Sequence, residues 1–295
     1  MEFVVIGGDE RFAWLARLLD QRGARVATAL REGVPGIPEL GRGGLRDVKN
    51  AIVNCPMRLS GIDAGPGRTF EGETMPRGEG MDRRASEGGA RGLPAWLLDE
   101  LPDEARIFSC GPGQPPADRR VIDLWTDEAL KLENARLTAE GAIAAAMRAS
   151  RDALRDTRCL IVGWGRIGRA LTETLVPLGV DTAVATRTEA NRNRAAERGA
   201  EGVPLADIDR ALPGRRLIFN TAPTMVLDGD ALRHVDGDAM LIDLASAPYG
   251  IDLREAWRRG LRAWREPGLP GRYCPRSAAR ALLSAMERRD QGEGA

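Results

Sequence analysis

Cys159-Leu160-Ile161-Val162-Gly163-Trp164-Gly165-Arg166-Ile167-Gly168 is the stretch that decides the fold. Four apolar residues fit a buried strand. The three glycines follow with Gly-x-Gly-x-x-Gly spacing. Ile167, Leu171, Leu175 and Leu178 then make the apolar stripe of a helix. In a dinucleotide-binding turn Gly163 makes the tight bend, Gly165 lets the backbone approach a pyrophosphate, and Gly168 lets the helix pack on the sheet. Trp164, Arg166 and Ile167 complete the candidate cofactor loop, and the helix start offers free N–H groups and a positive dipole end to phosphates. A purely structural glycine turn is the alternative reading.

Outward from this turn the pattern alternates. Thr182–Ala185, Leu217–Phe219, Met240–Leu244 and Leu261–Trp264 read as further strands of a doubly wound parallel sheet, and residues 276–288 as a closing amphipathic helix. Where an NAD site places an acid after the second strand, this chain has Thr186-Arg187-Thr188. Arg187 and the two hydroxyls suit a 2′-phosphate, so NADP is expected ahead of NAD. Asn220-Thr221-Ala222-Pro223 and Ala245-Ser246 end two more strands, where ligands of such sheets bind. They are candidates for lining the nicotinamide ribose, although turn chemistry alone also accounts for them.

The first half starts the same way. Phe3–Ile6, then Gly7-Gly8-Asp9, then a helix carrying Phe12, Leu15, Ala16 and Leu19, with Gly23 after it, predict a smaller flavodoxin-like or Rossmann-like α/β domain. Arg25–Ala29, Val48–Val53, Ala105–Ser109 and Val121–Leu124 read as its other strands. Between Ser60 and Gly92 there are 9 glycines and few large apolar residues, which predicts a long mobile loop. Thr138 reads as the N-cap of a connecting helix through Glu140, Gly141, Ala142 and Ile143. The expected division is residues 1–130 and 138–275, with 276–290 available to pack back on the first domain.

Composition narrows function. The 295 residues carry 43 Lys+Arg and 43 Asp+Glu, so the formal net charge is zero, which disfavours a general nucleic-acid binder. No apolar run is long enough to span a bilayer, and the start MEFVVIGGDE lacks a secretory pattern, so a cytoplasmic protein with no membrane contact is expected. Cys55, Cys110, Cys159 and Cys274 stand far apart, without metal-ligand spacing, and read as buried apolar side chains; no metal is expected. The single histidine, His234, lies in a surface-like context, so the His–Arg–carboxylate logic of 2-hydroxy-acid dehydrogenases finds no support. Proton transfer then falls to a carboxylate, Tyr, Lys or Cys. Glu140 and Asp243 head the candidates, with Lys131 and Tyr249 behind. Arg276 and Ser277, at the start of the closing helix, are candidates for binding a carboxylate, or a plain helix cap.

Asn134 with Thr138–Ile143, the GWGRIG turn, FNTAPTMVLD (Phe219–Asp228), LIDLASAPYGID (Leu241–Asp252), PGLPGRYCPRSA (Pro267–Ala278) and the opening VVIGGDER (Val4–Arg11) occur together and in this order. Together they resemble the family of NADP-binding subunits of dipicolinate synthase. Glu266 and Arg276 depart from it, standing where family members tend to have alanine and lysine. The resemblance implies a Rossmann-type cofactor domain beside a smaller α/β domain. It implies NADP-dependent oxidation of a dihydrodipicolinate-level intermediate of lysine biosynthesis to pyridine-2,6-dicarboxylate, in the mother cell of a sporulating bacterium. A second, flavoprotein-like subunit of the synthase would be the partner, and a homo-oligomer is expected. On this reading the dicarboxylate substrate sits in an interdomain cleft, one carboxylate at the Thr138–Gly141 helix start and the other at Arg276-Ser277. A different small-acid or amino-acid dehydrogenase, or a non-catalytic nucleotide-binding subunit, are the competing readings.

Overall fold

The computed structural model describes residues 1–30, 33–41, 43–53, 99–110 and 121–292. Cys55 and the segment 60–92 lie outside the described residues. Two compact units result, one from Met1–Asp127 with Leu282–Ala295, the other from Glu128–Ala281.

In the first unit, β1 (Phe3–Ile6), β2 (Val26–Ala29), β3 (Asn50–Val53), β4 (Arg106–Ser109) and β5 (Val121–Asp123) form an all-parallel sheet in the order β2-β1-β3-β4-β5. That is the flavodoxin-type order, with its reversal between β1 and β3. The helix Glu10–Gln21 follows β1. It is capped by Asp9, whose side chain accepts from the Arg11 backbone N–H, and it buries Phe12, Leu15, Ala16 and Leu19. From Leu282 onward the helix Pro275–Gly292 belongs to this unit. Arg288 grips Asp127 with two hydrogen bonds of 2.8 and 3.0 Å, and Arg22 pairs with Glu287.

In the second unit, β6 (Arg158–Val162), β7 (Asp181–Thr186), β8 (Glu201–Pro204), β9 (Leu217–Asn220), β10 (Met240–Asp243) and β11 (Arg262–Arg265) are likewise all parallel, in the order β11-β10-β9-β6-β7-β8. This is the dinucleotide-binding order, and the reversal falls between β6 and β9. Both faces of the sheet are covered. Leu160 and Val162 join one core cluster, while Cys159 and Ile161 join the other, so the strand reads as a continuous apolar run. Each fully buried Leu or Ile here contributes about 2 kcal/mol. β8 is the strand that pattern reading misses: Glu201-Gly202-Val203-Pro204 buries only Val203 and has no periodicity to find. The last residues of four strands lie in one row across the carboxyl edge, Val162 beside Asn220, Asn220 beside Asp243, and Asp243 beside Arg265.

One correction concerns Thr138. The helix runs from Glu128 to Ala149, and Thr138 is a buried mid-helix residue whose hydroxyl donates to the Asn134 carbonyl at 2.6 Å. Leu130, Lys131, Leu132 and Glu133 are strong helix formers with no breaker after them, so the helix runs through a segment that by itself looks like a cap. No free N–H groups exist at Thr138 to receive a carboxylate. Gly141 has a packing role instead: a Cβ there would stand 3.0 Å from the Leu269 Cβ.

Candidate functional site

β6 delivers the chain into the glycine turn, and each glycine has a separate physical reason. Gly163 takes a left-handed backbone (φ 103°), and a Cβ on it would come within 2.6 Å of the Thr221 hydroxyl. Gly168 lies so close to the strand end that a Cβ would meet the Gly163 carbonyl oxygen at 2.2 Å. Gly165 caps the helix Arg166–Leu175 and has nothing within 4 Å of its Cβ position. The helix start thus presents an open face with N–H groups unused by the helix, which fits a pyrophosphate in both shape and charge. Ile167 is half-buried against the core beneath. Trp164 contributes backbone rather than side chain, because its indole is buried in the core with the Arg198 guanidinium 5.7 Å from the ring centre.

Arg166 is engaged by a residue that sequence reading gave no reason to suspect. Its Nε and Nη2 donate to the two carboxylate oxygens of Glu128 at 2.7 and 2.9 Å. The hydrogen bonds from Arg166 hold the Glu128 carboxyl below its ordinary range. The partners lie far apart in the chain, in segments that share no motif.

At the end of β7, Thr186 is buried and Arg187 is exposed. Thr188 caps the helix Glu189–Ala196, accepting from the Asn191 N–H at 3.3 Å. Arg192, unremarked in the sequence, reaches back from that helix to donate to the Arg187 carbonyl at 3.3 Å. The Arg192 guanidinium, the exposed Arg187 and a helix start thus lie at the strand end where a 2′-phosphate is expected.

The ends of β9 and β10 are locked together. The buried Asp243 accepts from Asn220 Nδ2 at 2.7 Å, and from the backbone N–H groups of Ala245, Gly250 and Ile251 at 3.2, 3.2 and 3.3 Å. Asn220 Nδ2 also donates to the Ala222 carbonyl, and the Thr221 hydroxyl donates to the Val162 carbonyl. Both side chains proposed to face substrate or cofactor, Asn220 and Asp243, are thus spent on holding loops. These bonds engage the polar atoms of both side chains, which favours a clamp over the acid–base role expected of Asp243 and the cofactor contact expected of Asn220. Thr221, Ala222 and Ala245 are half-buried, while Pro223 and Ser246 are exposed on the loops so held.

Glu140 and the start of the last helix do come together. The Cys274 thiol faces the Glu140 carboxylate at 3.9 Å, and Arg276 and Ser277 stand exposed in the first turn of the helix Pro275–Gly292. Burial, reinforced by the Glu140 charge, pushes the Cys274 thiol up. Cys110 and Cys159 are buried, and burial pushes the Cys110 thiol up to about 12. Glu266 has a structural explanation: buried, it pairs with Arg272 and accepts from Trp264 Nε1 at 3.1 Å. His234 is exposed and 4.0 Å from Asp209.

Residues 130–249 match the NAD-binding domain of the D-isomer specific 2-hydroxyacid dehydrogenases. A dipicolinate synthase subunit of Bacillus subtilis is 25% identical over 294 residues, covering 98% of this chain and 95% of that protein. The resemblance to dipicolinate synthase runs nearly end to end. The crystal structure of the corresponding dipicolinate synthase subunit from Bacillus halodurans superposes with a TM-score of 0.75 and 22% identity, covering 98% of this chain and 97% of that one. A D-isomer specific 2-hydroxyacid dehydrogenase from Xanthobacter autotrophicus, in complex with NADPH and MES, superposes with a TM-score of 0.53 and 16% identity, over 98% of this chain and 96% of that one. Together these similarities support an NAD(P)-dependent dehydrogenase.

Proposed function

We propose that this chain is the NADP-binding subunit of a dipicolinate synthase, oxidising a dihydrodipicolinate-level intermediate to pyridine-2,6-dicarboxylate. The observation that carries the reading is the glycine cradle at the reversal between β6 and β9, in a chain that resembles a dipicolinate synthase subunit nearly end to end. Gly165 and the N–H groups of the helix start would hold the pyrophosphate. Arg187, Thr188 and Arg192 would hold the 2′-phosphate. Thr221, Ala222, Pro223, Ala245 and Ser246 would line the ribose, on loops that Asn220 and Asp243 keep in place. When bound, the nicotinamide supplies the hydride acceptor.

The substrate ring loses a hydride and a proton and becomes aromatic, so the step needs positioning more than a strong base. Glu140, exposed beside Cys274, is the carboxylate left to take the proton, and Arg276 with Ser277 would bind one substrate carboxylate at a helix N-terminus. A flavoprotein-like second subunit, self-association and a cytoplasmic setting in a sporulating cell complete the proposal. No described helix is long and apolar enough to cross a membrane.

The test mixes purified protein with NADP and freshly generated cyclic lysine-pathway intermediate, with and without the second subunit. NADPH absorbance appearing together with the ultraviolet bands of dipicolinate is the expected result. Tight NADP binding with no NADPH in either mixture overturns the substrate assignment. Within the same reading, Arg187→Ala should weaken NADP roughly 10- to 100-fold, the loss of a charge-assisted phosphate contact, while changing NAD affinity less than about twofold. Equal losses for both nucleotides would refute the 2′-phosphate assignment.

A further inference from the structure

Arg265 ends β11 at the carboxyl edge of the sheet, the edge that also carries the glycine turn and the loops after β9 and β10. Its strand neighbour is Asp243. Other arginines of this unit are closed by an acid: Arg272 by Glu266, Arg166 by Glu128, and Arg258 and Arg259 by Glu255. Arg265 differs. Its Nε is 4.0 Å from an Asp243 oxygen, too far for a hydrogen bond, and that carboxylate is already saturated by Asn220 and three backbone N–H groups. Among the described residues the guanidinium makes no hydrogen bond, and its side chain is 41% exposed.

It is nonetheless held. The guanidinium carbon lies 3.9 Å from the centre of the Tyr249 ring. Tyr249 adopts a left-handed backbone (φ 69°), which bulky residues rarely take and which clusters at functional sites. A ring beneath and a buried charge beside the guanidinium fix its plane while leaving its outer N–H fork unused. That is a preorganised receptor for a planar, bidentate anion.

We infer that Arg265, seated on Tyr249, binds a carboxylate of the substrate and sets its orientation at the carboxyl edge of β10 and β11. The inference rests on the dicarboxylate reading above and assigns the second of the two carboxylates. Arg276-Ser277 is the candidate for the other carboxylate. Substrates with a single carboxylate would then be discriminated against by the unfilled guanidinium.

Calorimetric titration with pyridine-2,6-dicarboxylate, pyridine-2-carboxylate and pyruvate, on wild type, Arg265→Gln, Arg265→Lys and Tyr249→Leu, tests this. NADP affinity, measured in parallel, reports on the fold and the cofactor site. Arg265→Gln should weaken the dicarboxylate roughly 10- to 100-fold and leave NADP unchanged. Arg265→Lys should recover only part of that affinity, because the fork is lost, and Tyr249→Leu should lie between Arg265→Lys and wild type. Unchanged dicarboxylate binding by Arg265→Gln overturns the assignment while leaving the dipicolinate reading standing. Wild-type binding of a monocarboxylate alone, abolished by Arg265→Gln, keeps Arg265 as the anchor and overturns the dipicolinate reading. No binding of any of the three acids by wild type overturns the assignment as well.

Discussion

Gly165→Ala is expected to leave thermal stability within a few degrees of wild type while weakening NADP roughly 10- to 100-fold. Gly168→Ala, three residues on, is expected to lower stability itself. The two glycines share one turn, and the difference lies in what a methyl group would meet. At Gly165 the Cβ position has nothing within 4 Å, and the residue caps the helix with an ordinary extended backbone (φ −79°, ψ −168°), which alanine can adopt. Alanine is a poorer N-cap than glycine by less than about 1 kcal/mol. The methyl instead stands where the pyrophosphate must approach the N–H groups, and a steric displacement worth about 1–3 kcal/mol gives the stated loss of affinity. At Gly168 the methyl would lie 2.2 Å from the Gly163 carbonyl oxygen, a backbone atom whose residue is itself tied to Ala185 by a 2.9 Å hydrogen bond. Helix and strand must part, at about 3 kcal/mol, lowering the melting temperature by roughly 6–12 °C. Differential scanning calorimetry with NADP titration separates the two outcomes. A Gly165→Ala protein that binds NADP like wild type would remove the pyrophosphate from that face.

This contrast also shows where the sequence is legible. The glycine spacing, the apolar run before it and the stripe after it all follow from backbone sterics and burial, which act over a few residues, so strand, turn and helix can be read directly. The same holds for the surface placement of His234 and for the parallel sheets. What cannot be read is what side chains do across the fold. Asp243 looks like a catalytic acid because a polar residue ends an apolar strand. Only the row placing it beside Asn220 and Arg265 reveals a clamp. Thr138 looks like a cap because its neighbourhood fits one, yet the helix had already begun at Glu128. Glu128 with Arg166 is a further pair that only the fold brings together.

Asp243→Ala is expected to cost about 3–5 kcal/mol, the largest stability loss of any single change at the site. A buried carboxylate with one side-chain and three backbone donors is removed, leaving those donors in a pocket that water does not reach. Asp243→Asn should fall between the two proteins. One oxygen survives, but an amide N–H₂ now confronts donors, at about 1–3 kcal/mol. Asn220→Ala decides between clamp and catalysis. If Asp243 acts by holding the loops after β9 and β10, then Asn220→Ala reproduces much of the loss. The double variant then falls short of the sum of the singles by about 0.5–3 kcal/mol, as residues in one hydrogen-bond network do. Cofactor affinity and turnover should fall together in both variants, because the same loops carry Thr221 and Ser246. A catalytic Asp243 gives the opposite pattern: turnover lost with melting and NADP affinity intact, and Asn220→Ala nearly silent. Thermal melts of the four proteins, read beside their NADP affinities, separate the two roles without needing the substrate to be identified first.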